Sequence, residues 1–188
     1  MKLPTYSIID SCAGVEMLVR ELGLGVEDSS QDVLRVQNFL DDFNRKAIRE
    51  ASSLLESRFT PASEVLHTKM VSCGATTTLG AALLRQAGHR VRLVHGTYRK
   101  NTHAWLQVWN RHVGQWADHD FMEASEQSRR PLAVCADWLE LRDLLVAEAR
   151  RYSPADSAEL LVSRLDNRKK LRICRASGCS GNIERATA

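Results

Sequence analysis

A chain of 188 residues with 44% hydrophobic and 26% charged side chains is long enough to bury the core of one domain. Its net charge of +3 is too mild to argue for nucleic acid, and no apolar run approaches the roughly 20 residues of a membrane helix. The start, Met1-Lys2-Leu3-Pro4, lacks the apolar core of a secretory leader, so the expected location is the cytoplasm, where the five cysteines (Cys12, Cys73, Cys135, Cys174, Cys179) stay reduced.

Val15, Leu18, Val19 and Leu22 recur at helical spacing over 13–22, and Gly23-Leu24-Gly25 stops that helix. Asp28-Ser29-Ser30 then offers caps for a long helix reaching Ser57. Val33, Val36, Leu40, Phe43, Ala47, Ala51 and Leu54 fall on one face, and Asp41, Asp42, Arg45 and Arg49 on the other. That is an amphipathic packing helix; it has too few heptads for a coiled coil. Thr60-Pro61 breaks the chain, and a short helix is predicted over 63–67. The next helix runs from Ser72 to Ala87 with Gly88 as its stop. Its first turns are small: Ala75, Thr76, Thr77, Thr78, Gly80, Ala81, Ala82. Successive threonines are poor helix formers alone. Tertiary packing must therefore hold this helix, and small residues let neighbouring backbone come close.

Three strand-like runs follow, at 90–96, 103–109 and 115–120. The second and third are joined by a turn at 110–114 and read as an antiparallel hairpin. Gly96 to Asn101 reads as a longer polar loop. From Arg130-Pro131 onward the pattern is helical, through Leu132, Trp138, Leu141, Leu145 and Ala149. A second helix begins at Ser153-Pro154, capped by the serine, and ends near Leu165. The expected organisation is a single domain over 1–165 and a basic, flexible tail over 166–188.

The chemistry concentrates between Cys73 and Asp120. Thiolate, not thiol, is the nucleophile, and a helix amino terminus favours it through unpaired N–H groups and the helix dipole. Cys73 stands at such a start. His103 nearby would take the proton and hold an imidazolium against the thiolate. A carboxylate on the far ring nitrogen would fix the tautomer of that histidine. Asp118 and Asp120 lie two apart on one strand and so share the face of Trp116, while His119 faces the other way. Periodicity does not choose between the two. Backbone N–H groups at the helix start, that of Cys73 included, are candidate oxyanion donors.

Five pieces in order carry a resemblance: Cys73-Gly74; Leu83-Leu84-Arg85-Gln86-Ala87-Gly88; Arg92-Leu93-Val94-His95-Gly96; His103-Ala104-Trp105; and Gly114-Gln115-Trp116 with Asp120. Over 62–123 this sequence resembles the transglutaminase-like superfamily. The resemblance implies an α+β fold with a papain-like core. In it a Cys-headed central helix packs on a small antiparallel sheet, with extra helices at both ends. It also implies a triad of Cys73 as nucleophile, His103 as base and Asp120 as the carboxylate orienting it. Asp118 then occupies a variable position, and Trp105, Trp116 and Asp118 become candidates for the pocket wall. Asp120-Phe121-Met122 departs from the Asp-Pro-Thr often found there. No counterpart of the animal enzymes' calcium sites is visible.

The implied activity is cysteine chemistry on peptide or side-chain amides through a thioester, with hydrolysis favoured over crosslinking. The expected partner is a protein or peptide substrate, with no membrane, no nucleic acid, no metal and no cofactor. Cys174 and Cys179 make only half of a zinc site. The alternative reading is a non-enzymatic protein-binding module that grips its partner through the 96–101 loop and the basic tail.

Overall fold

The computed structural model describes residues 9, 12–25, 28–46, 60–69, 71–99, 101–122 and 129–141. Helices α1 (Ala13–Glu21), α2 (Ser29–Lys46), α3 (Ala62–Thr68) and α4 (Cys73–Gln86) precede strands β1 (Val91–Tyr98), β2 (Asn101–Asn110), β3 (Gln115–His119) and β4 (Arg129–Cys135). A short 3-10 helix, Trp138–Leu141, closes the described chain. The arrangement is α+β, with one antiparallel sheet in the order β3-β2-β1-β4. Among the described residues no helix is long and apolar enough to cross a membrane.

Helix α4 is the centre. It contacts α1, α2 and α3 on one side and β1 and β2 on the other, and every residue from Cys73 to Leu84 is buried. Enclosure on all sides explains its small side chains, since neighbours on every face need room. The three threonines, weak helix formers in isolation, each have a polar partner. The Thr76 hydroxyl lies 3.4 Å from Asn44 Oδ1 of α2. Thr77 donates to the Ala104 carbonyl of β2 at 3.1 Å. Thr78 donates back to the Gly74 carbonyl at 2.8 Å and accepts from the Trp138 indole N–H at 3.1 Å. The hydroxyls thus tie the central helix to the layers on both sides, and none is left costly and bare inside the core. Ser72 caps the helix by accepting from the Ala75 N–H at 3.1 Å, and Gly88 ends it at φ 89.

A second tie lies at the opposite end of α4. Asp32 of α2, wholly buried, accepts from the Gly25 N–H and bonds His89 Nε2, both at 2.6 Å. Arg35 sits 3.6 Å from its other oxygen. One carboxylate therefore pins the turn before α2 to the loop that follows α4.

Two expectations from the sequence are corrected. The segment opening at Arg130-Pro131 is not a helix but strand β4, paired antiparallel with β1. Its apolar run, Leu132 to Cys135, is too short for periodicity to separate strand from helix. A proline suited to a helix's first turn also suits an edge strand. Pro131 pairs with Gly96 where the β1–β4 register shifts, so the missing N–H falls at a natural irregularity. Nor is 96–101 a long loop. The β1–β2 ladder continues through Gly96↔His103, Thr97↔Thr102 and Tyr98↔Asn101, and the reversal is a tight hairpin with Arg99 at φ 57. The predicted helix to Ser57 is described as far as Lys46. Its remainder, the helices beyond 141 and the basic tail lie outside the described residues.

Candidate active site

Cys73 is the first residue of α4 and is 6% exposed. The N–H groups of a helix's first turn have no partner within the helix itself. Ser72 satisfies that of Ala75, so the turn around Cys73 is held in shape by its own cap. A residue at this position stands by the positive end of the helix dipole, which favours negative charge there.

His103 stands on β2, 8% exposed, and hydrogen-bonds Asp120 through Nε2 at 2.6 Å. Its ring also hydrogen-bonds the Cys73 thiol. With Nε2 committed to the carboxylate, Nδ1 is the nitrogen left for sulfur. Burial pulls the imidazole's pKa down, but hydrogen bonds and charge from Asp120 and Cys73 together outweigh it and raise it to about 9. At neutral pH the ring is therefore an imidazolium between the Cys73 sulfur and a carboxylate.

Asp120 lies just past the end of β3, with its side chain 4% exposed. Its Oδ1 accepts from the Met122 N–H at 3.0 Å, a local turn that fixes the carboxylate and leaves Oδ2 for His103. Phe121, where the sequence departs from the usual pattern, explains how that turn is anchored. It is 2% exposed and lies against Gly80 of α4, where any Cβ would overlap its ring. The missing side chain at Gly80 thus makes the seat for the residue beside Asp120.

The structure separates the two aspartates that periodicity left equal. Asp118 is held by Gln107 Nε2 at 2.6 Å, and Gln107 Oε1 accepts from Arg92 Nε at 2.6 Å. This chain crosses three strands and leaves Asp118 away from His103. Trp105 does lie at the site: its ring stacks on His103 with centroids 6.0 Å apart, and it is 1% exposed. Trp116 does not. It packs edge-on to Trp109 at 5.4 Å, with Arg92 at 4.2 Å over its ring. A concavity of about 710 Å³ lined by Trp116, Arg85 and Arg92 opens there, at the far end of β1 from Gly96.

Three further residues adjoin Cys73, His103 and Asp120. Tyr98, placed in a loop, is the last residue of β1, with its ring 5.7 Å from His103. Gly96 lets the Trp105 indole cross the sheet, since a Cβ there would stand 2.6 Å from Trp105 Cη2 and collide with the Arg130 carbonyl. Arg129 opens β4 and brings its guanidinium to 3.5 Å from Asp120 Oδ2. Only the pairing of β4 with β1 makes that last contact, and nothing in the local sequence signals it.

The profile described as the transglutaminase-like superfamily matches residues 16–121, more than half of the chain. A crystal structure from Cytophaga hutchinsonii, provisionally assigned as a cysteine protease, is similar in fold with a TM-score of 0.55 at 18% identity. The match covers 74% of this chain and 53% of that one, so the chain spans about half the length of that relative. No curated protein matches.

Proposed function

The chain belongs to the transglutaminase-like superfamily, and from that premise we propose that it is a cysteine-dependent hydrolase or acyltransferase acting on peptide or side-chain amides. The observation that carries this reading is the unbroken hydrogen-bonded series Cys73–His103–Asp120. A non-enzymatic binder has no use for a thiol, an imidazolium and a carboxylate aligned in that order.

In the proposed cycle the Cys73 thiolate attacks the amide carbon and the carbonyl oxygen becomes an oxyanion. N–H groups at the head of α4 stabilise it. The C–N bond then breaks, and the leaving nitrogen takes its proton from the His103 imidazolium. A thioester remains on Cys73. Neutral His103 next removes a proton from water, which attacks the thioester; acid leaves and the thiolate–imidazolium pair is restored. An amine in place of water gives a new amide. Asp120 stays ionised throughout and holds the ring in one tautomer. Similarity in fold to a protein assigned to the cysteine proteases supports hydrolysis as the first activity to assay.

The test is the alkylation of Cys73 by iodoacetamide at about pH 6, read by mass spectrometry, with Cys12 and Cys135 as internal references. Cys12 sets the comparison, and Cys135, whose thiol burial pushes up to about 12, marks the unreactive limit. Cys73 is expected to react at least about tenfold faster than either, and to lose that lead in His103→Ala. A Cys73 no faster than its references sinks the enzyme reading in favour of the binding module. With the lead established, new α-amine would mark a peptidase, ammonia release a deamidase, and amine incorporation a crosslinker.

A further inference from the structure

Arg129 is a buried cation that the triad does not account for. Its side chain is 6% exposed, and among the described residues neither Nε nor Nη1 has a hydrogen-bond partner. Donors left bare in the interior are costly and call for a compensating role. The compensation is of two kinds. Nη1 stands 3.5 Å from Asp120 Oδ2, and the guanidinium lies 5.6 Å over the Trp105 ring. Oδ2 is the same oxygen that His103 uses. The contact is not the two-pronged fork that arginine makes when it serves only to lock a carboxylate. It places charge on the oxygen that carries the imidazolium.

We propose that Arg129 is a positioning residue of the Cys73 site, wedged between Asp120 and Trp105 so that it holds Oδ2 on His103 and balances the charge of the cluster. Thiolate, imidazolium and carboxylate alone sum to a net negative charge in a buried place. The guanidinium makes a neutral set of two cations and two anions. Taking it away raises the cost of each negative charge and favours every added proton.

The other groups facing this cluster from the packed elements leave that role to Arg129. Tyr98 of β1 presents its ring to His103, with Arg99 at 5.2 Å over its outer face. Asp118 of β3 is taken up by Gln107. His119 of β3 is pushed down by burial, with Asp118 and Arg129 acting on it in opposite senses. Arg130 of β4 is exposed, and its carbonyl faces Gly96.

This inference rests on the reactive-thiol reading above, and one experiment tells their failures apart. The rate of Cys73 alkylation is followed across pH in the full chain for wild type, Arg129→Met, Arg129→Gln and Arg129→Lys. Circular dichroism reports whether each variant is folded. The profile has two steps, thiolate formation at low pH and loss of the imidazolium proton at high pH. Loss of the charge is expected to move both steps up by about one pH unit, and the lysine variant to recover at least half of that shift. A merely structural arginine would leave both midpoints in place. Folded methionine or glutamine variants whose profile overlays wild type overturn the proposal, as does a lysine variant that shifts as far as methionine. Failure of both neutral variants to fold also overturns it, since the residue then holds the domain and not the triad. If wild-type Cys73 shows no His103-dependent reactivity at all, the parent reading fails first.

Discussion

Asp118 and Asp120 lie two residues apart and carry the same charge, yet only one reaches His103. The difference is what else each carboxylate touches: Gln107 holds one, and the Met122 N–H turns the other toward the imidazole. Asp120→Asn is therefore expected to lower turnover about a hundredfold to ten-thousandfold by releasing the tautomer, and Asp118→Asn to change it less than about threefold. Steady-state kinetics on whichever substrate the amide screen yields checks both. A second expectation at this scale concerns pH. The folded-state pKa of His103, about 9, lies above its ordinary 6.5. The stabilisation it brings is thus fully present below about pH 6.5 and is lost as pH rises through about 9. Thermal midpoints between those limits should fall more steeply for wild type than for His103→Gln, and equal slopes would contradict the charged pair.

Among the elements, helix α4 was the most legible in the sequence. Ser72 and Gly88 bracket it, and its run of small residues signals close packing whatever the neighbours are. The β2–β3 hairpin was legible for a similar reason, since Asn110 and Gly114 punctuate aromatic and β-branched runs. Strand β4 was hidden because Arg130-Pro131 satisfies the local rule for a helix start as well as for an edge strand. What decided between them was pairing with β1, more than thirty residues earlier in the sequence, and no window of sequence contains that. The β1–β2 reversal was hidden because Arg99 takes the left-handed turn position usually given to glycine or asparagine. The seat of Phe121 on Gly80 was invisible for the same long-range reason. Gly80→Ala is expected to cost about 1–3 kcal/mol by overpacking, seen in urea unfolding. It should also slow Cys73 alkylation at about pH 6, because the displaced ring adjoins Asp120. Unchanged stability in that variant would mean that Phe121 is not held there.

At the scale of the whole molecule, the two ends of α4 have separate duties. One end carries the thiol; the other is roped to α2 through Asp32 and His89. Asp32→Ala strips the partner from His89 and from the Gly25 N–H, and is expected to cost about 3–5 kcal/mol, measured by chemical denaturation. The alkylation profile of the surviving folded protein should stay as in wild type, and a shifted profile would mean that the two ends are coupled. The sheet adds an optical consequence. The chain has four tryptophans, and the indole of Trp105 lies stacked on His103. An excited indole gives up an electron readily to a protonated imidazole beside it, and much less readily to a neutral one. The emission of Trp105 is therefore expected to be quenched while His103 is protonated and to brighten as the proton leaves, which a fluorescence pH titration of wild type against Trp105→Phe checks. The protonation state of His103 would then be readable as tryptophan emission, with neither substrate nor label added.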